Sequence, residues 1–93
     1  MSAWITGPIQ NGTTSVGTTA VPLSTATIEF NRGVTICSLQ TNTGIVYVGA
    51  SNVTTANGFP LAAGQSVTIE AASPAACFVI ASASSQEVRW LGA

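Results

Sequence analysis

Residues 42–69 read NTGIVYVGASNVTTANGFPLAAGQSVTI. Gly49, Gly58 and Gly64 punctuate this stretch, and Val46, Val48, Leu61, Val67 and Ile69 supply its apolar faces. A period of two places alternate side chains on one face of a pleated strand. The stretch therefore reads as strand, turn, short strand, turn, strand. Asn57-Gly58 is a strong turn signal. Phe59 precedes Pro60, which disfavours the α region and extends residues 59–61. Leu61 is expected to anchor that segment in the core, and Gly49 to end a strand or mark a bulge. These turns are expected to set the register of a central sheet.

Upstream lies VTICSLQ, residues 34–40. Val34, Ile36 and Ser38 share one face; Thr35, Cys37 and Leu39 share the other. Neither face is charged, so burial on both sides is expected. Thr41-Asn42-Thr43-Gly44 has the length of a hairpin loop. Residues 45–48 should then return antiparallel beside 34–40. Residues 13–23 alternate loosely, with Val16 and Val21 inward and Pro22 confining the run to an edge. A further short strand is expected over 24–30, with Ile28 and Phe30 on one face. Asn31-Arg32-Gly33 is a turn by composition.

Downstream, Ser66–Glu70 alternates cleanly, Ser73-Pro74 breaks the chain, and Cys77–Ala81 is apolar throughout, as a central strand would be. Residues 87–91, EVRWL, close the pattern with Val88 and Trp90 on one face and Arg89 and Leu91 on the other. Turn signals recur about every ten residues, the rhythm of a sandwich or barrel. The expected fold is all-β: an antiparallel β-sandwich or small barrel of six to eight short strands. Residues 13–93 form its single domain. Residues 1–12 read as an extended N-terminal arm, because Gly7 and Pro8 interrupt any regular element after Trp4 and Ile5.

Composition limits what this fold can do. The chain has 93 residues, enough for one domain that buries roughly two-thirds of its unfolded surface. Only 5% of residues are charged, against roughly 25% in an ordinary soluble domain. They are Glu29, Arg32, Glu70, Glu87 and Arg89, and the net charge is −1. Ser and Thr number 23, so hydroxyls replace ions on the surface. A surface so poor in charge resists association weakly, which points to coverage by copies of itself or by another protein. Hydrophobic residues reach 46%, the opposite of a disordered composition. The apolar runs are too short and interrupted for a membrane helix. MSAWITGPIQNG has no basic n-region or apolar h-region, so a cytoplasmic start is expected.

The reagents of catalysis are scarce. There is no His, Lys or Asp. General acid–base work would fall to three Glu, two Cys and one Tyr. Glu70 and Glu87 are conceivable as a carboxylate pair, but read more simply as solvated strand positions beside Arg32 or Arg89. Cys37 has no His to activate it. Cys37 and Cys77 read as two reduced, buried thiols, too few for a disulfide scaffold or a zinc site. The glycines are too widely spaced for a phosphate loop, and two Arg cannot track a nucleic-acid backbone. No catalytic residue, cofactor or metal is expected, and neither nucleic acid nor membrane is expected as a partner.

Three segments carry a resemblance. They are Val46-Tyr47-Val48-Gly49, the run from Val53 to Leu61 with Asn57-Gly58 inside it, and Ala63-Gly64-Gln65-Ser66-Val67-Thr68-Ile69. With the apolar strand and EVRWLGA ending that follow, residues 34–93 resemble a family of small bacteriophage virion structural proteins, among them capsid cement (decoration) proteins. The resemblance implies a non-enzymatic protein of the virion, made in the host cytoplasm and placed on the capsid surface. It implies a homotrimer that binds the major capsid protein on the outer face of the assembled shell and stabilises it. Trp4, Ile5, Ile9, Phe59, Trp90 and Leu91 are the expected subunit or capsid contacts, Trp being a favoured interface anchor. The alternative is a tail, neck or fibre component, with Tyr47, Trp90, Asn52 and Thr54-Thr55 lining a receptor or glycan site.

Overall fold

The computed structural model describes residues 9–25, 32–70 and 73–93. Among the described residues eight strands form in this order: β1 (Gln10–Val16), β2 (Val21–Pro22), β3 (Val34–Ser38), β4 (Val46–Gly49), β5 (Phe59–Leu61), β6 (Ser66–Ile69), β7 (Phe78–Ala81) and β8 (Gln86–Gly92). A 3-10 turn, Pro74–Ala76, precedes β7. Ser73 caps it: its side chain accepts from Ala75 N, and Pro74 occupies a first-turn position where no N–H is needed.

The strands divide into two four-stranded antiparallel sheets, ordered β1-β8-β3-β6 and β2-β7-β4-β5. That is the strand order of an eight-stranded jelly roll, the double-sheet solution to covering a β core. The fold expectation is met in its sandwich form.

Alternation along each strand sorts side chains between core and surface. On β3, Val34, Ile36 and Ser38 are buried while Thr35 and Cys37 are half-buried. On β8, Gln86, Val88, Trp90 and Gly92 face in; Arg89 and Leu91 face out. The opposite sheet contributes Val46, Val48, Leu61, Val79 and Ala81. Val16, Leu23 and Cys77 belong to the same buried cluster. Each buried Val or Ile contributes about 1.5–3 kcal/mol by leaving water, which is how a chain of this size holds together without staples.

Four expectations need correction. Residues 34–40 and 45–48 are not a hairpin: β3 and β4 belong to different sheets, and residues 39–45 cross between them. The same holds for β5 and β6, so residues 42–69 serve both sheets rather than the register of one. Gly64, at φ +83°, makes that second crossing, in a region where a side chain would be strained. The strand at 34–40 is fully buried on its inner face only. The sheet begins at Gln10, inside the region read as arm. Residues 1–8, with Trp4 and Ile5, and most of the strand expected at 24–30 lie outside the described residues.

β4 and β5 are the one consecutive pair that hydrogen-bond to each other among the described strands. The loop between them is closed by side chains. Asn57 Oδ1 accepts from Thr54 N at 2.7 Å, and Thr54 Oγ1 accepts from Ala56 N and Asn57 N. Gly58 does not have a positive φ. Its role is steric, since a Cβ there would stand 2.6 Å from Tyr47 Cβ.

Candidate functional site

Strand register shows how little chemistry the sheets bring together. Glu87 Oε2 lies 3.5 Å from Arg89 Nε on the exposed face of β8. Glu70 follows β6, beside the residue that precedes β3. Glu87 lies beyond the other end of β3, since Val88 pairs with Ser38. Six residues of strand separate the two carboxylates, roughly 20 Å. They cannot act on one bond. No group of three His, Cys, Asp or Glu that could hold a metal occurs among the described residues. Cys37 and Cys77 are free thiols, the first half-buried on β3 and the second buried just before β7. Burial pushes the Cys77 thiol pKa up, away from a reactive thiolate.

The polar groups that are buried serve the fold. Gln86, 4% exposed, accepts from Thr43 N and Gly44 N, both at 2.8 Å. Its Nε2 donates to Thr43 Oγ1 and Ser84 O. Asn42 Nδ2 donates to Ser38 Oγ and to Glu87 O, each at 2.8 Å, and Asn42 Oδ1 accepts from Glu87 N. The two amides lash the β3–β4 crossing to the start of β8. Neither was marked by sequence: an Asn in a loop and a Gln before a strand give no signal of burial.

The expected contact residues fall into three places. Ile9 and Leu91, 59% and 53% exposed, come together from the two ends of the chain. They line a shallow, mostly apolar groove of about 190 Å³ on the outward face of the β1-β8-β3-β6 sheet, with Thr35, Thr68 and Arg32. Phe59, 56% exposed, lies on β5 at the edge of the other sheet. It borders an apolar cleft of about 450 Å³ between the two sheets, lined also by Val48, Val67, Ile69 and Cys77. Trp90 is the correction. It was expected at a contact surface, but it is 5% exposed and belongs to the core. On β8 it takes the inward parity that makes Leu91 outward. Its indole lies over Gly12, the residue opposite it on β1, where a Cβ would stand 2.6 Å from the ring.

Burial of Trp90 also removes one of the two aromatics from the expected glycan-binding set. Tyr47 is half-buried, and only Asn52, Thr54 and Thr55 of that set are exposed. The Ile9–Leu91 groove is the candidate functional surface. It offers apolar area and hydroxyls, which suits association more than bond-breaking. Comparison with protein-family models, curated proteins and solved structures finds no match for this chain.

Proposed function

We propose that this chain is a non-enzymatic structural protein of a bacteriophage virion, a capsid decoration protein that binds the outer face of the assembled shell as a homo-oligomer and stabilises it. The observation that carries the reading is the Ile9–Leu91 groove. Two large apolar side chains stand more than half exposed at one end of an outward sheet face. They sit on a domain with very few charges to keep it apart from other proteins. The jelly-roll strand order supports the class by analogy of fold, since viral capsid domains use it, although lectins do too. The motif resemblance of residues 34–93 supports the decoration role.

The experiment is co-sedimentation of the purified protein with assembled shells of the major capsid protein from the same phage. Saturable binding, and shells that survive higher temperature when decorated, are expected. Leu91→Asp should weaken binding by about tenfold or more, because it places a charge in the apolar contact. Its fold should survive, since Leu91 faces outward. A protein that ignores shells and locates to the tail would overturn the proposal.

A further inference from the structure

The four edge strands of the sandwich are not alike. β2 has two residues and ends in Pro22; β5 has three and is centred on Pro60. β6 has four and runs into Glu70. Shortness, proline and charge are the devices that prevent an edge from templating another strand. β1 has none of them. It runs for seven residues, QNGTTSV, with no proline and no charge. β8 pairs along one side of it, and no further strand among the described residues pairs along the other.

We infer that β1 is a homotypic interface: two copies of this chain pair their β1 strands antiparallel about a two-fold axis at Thr13, joining two four-stranded sheets into one of eight. Thr13 is the centre of Gln10–Val16, so this axis pairs the whole strand. It sets Gln10 opposite Val16, Asn11 opposite Ser15 and Gly12 opposite Thr14 of the second copy. Like parities meet, so the outward face of one copy continues into the outward face of the other. A slip of one residue would turn the second copy inside out.

The occupant is a second copy because β1 suits itself. No like charges face each other in this pairing, because β1 has no charges. The nearest conflict is between the two Arg89 side chains. Arg89 pairs with Thr13, so the row across the dimer is Arg89, Thr13, Thr13, Arg89. Three strand spacings of about 4.8 Å put the β8 strands roughly 14 Å apart, beyond the Debye length at physiological salt. Each Arg89 also has Glu87 beside it. Thr13 meets Thr13 on the axis, a favourable cross-strand pair. At each end Ile9, 59% exposed, is carried toward Gly17 of the second copy. A side chain at Gly17 would meet nothing within 4 Å, so there is room there for Ile9. The contact is two-fold, and it replaces the trimer that the resemblance implies. It concerns the free protein and does not depend on the capsid reading.

Sedimentation equilibrium of the full chain over a dilution series tests it. The wild type should reach twice 9.3 kDa and dissociate on dilution. Thr13→Lys sets two lysines face to face and should weaken the dimer by about tenfold or more. Ser66→Lys, on the exposed side of the β6 edge, should not. Should Thr13→Lys fail to fold, Thr13→Cys in a Cys37→Ser background decides: oxidation should give a covalent dimer, and Ser66→Cys in the same background should not. A wild type that stays monomeric throughout overturns the inference. So does a trimer weakened by both lysine variants, which would place β1 against β6, or a Thr13→Cys protein that fails to cross-link.

Discussion

The side-chain amide of Asn42 binds the backbone of Glu87 twice, Oδ1 accepting from Glu87 N at 2.9 Å and Nδ2 donating to Glu87 O at 2.8 Å. It imitates a strand residue just past the end of β3, where Glu87 O also accepts from Leu39 N at 3.3 Å. β8 begins at Gln86, and the chain leaving β3 is turning away toward the other sheet. Without this contact the Glu87 N–H would face the loop with no acceptor from Asn42.

Asn42→Ala should therefore cost about 2–3 kcal/mol. It removes three hydrogen bonds and leaves Ser38 Oγ, on a residue 0% exposed, without its donor. Urea denaturation should show a lower midpoint with an unchanged slope. A loss below about 0.5 kcal/mol would mean that water replaces the amide, and that the clasp does not hold the crossing.

Two glycine substitutions should part company. Gly12→Ala drives a methyl into the Trp90 indole, and overpacking of this kind costs about 1–3 kcal/mol. Gly17→Ala meets open space and has no positive φ, so it should be neutral or stabilise by up to about 1 kcal/mol through the unfolded chain. Melting temperatures of the two variants, measured side by side, check the placement of Trp90 in the core. Equal losses would contradict it.

The two thiols should differ in reactivity. A thiol reagent added to folded protein should modify the half-buried Cys37 and spare Cys77 until the chain is unfolded. Burial raises the Cys77 pKa above its ordinary 9.0. At alkaline pH the unfolded chain then gives up this proton while the native chain keeps it. Stability from this group is complete below about pH 9 and declines as pH rises toward the folded pKa. Cys77→Ala should remove that alkaline component while lowering stability at all pH values through the cavity it leaves. An alkaline decline unchanged by the substitution would assign it to other groups.

The acidic residues should prove dispensable to the fold. Glu87→Gln breaks a pair whose Arg89 side is 64% exposed, and such pairs are worth about 0–1 kcal/mol. Glu70→Gln, on an exposed residue, should change stability no more. A hydrolase activity abolished by Glu70→Gln would overturn the non-enzymatic proposal.

Much of the surface was legible in the sequence because its cause is local. Leu91 and Phe59 were expected to be available for contact, and they are exposed. Trp90 was misjudged although its parity was read correctly, with Val88 on one face and against Leu91 on the other. A large aromatic near a chain end looks like an anchor, but parity is the stronger rule in a strand that is buried on one side. The groove itself was not legible. Ile9 and Leu91 are 82 residues apart, and only the pairing of β1 with β8 brings them together.

The sequence by itself determined the strands. Alternation in SVTIE and EVRWL, the unbroken apolar run at Cys77–Ala81 and the breaks at Gly49, Gly64 and Ser73-Pro74 each arise within a few residues and survive any tertiary arrangement. Only the tertiary structure decided which strand lies beside which. Residues 41–44 have the composition of a hairpin loop, yet they carry the chain from one sheet to the other. A hairpin and a crossing of the same length share their turn chemistry. They differ in whether the next strand pairs with the last or faces it across the core. That choice follows from the burial of Val34, Ile36, Val46 and Val48 together between two sheets, and from Asn42 and Gln86 reaching residues more than forty positions away. Both causes are long-range, and a short window of sequence contains neither.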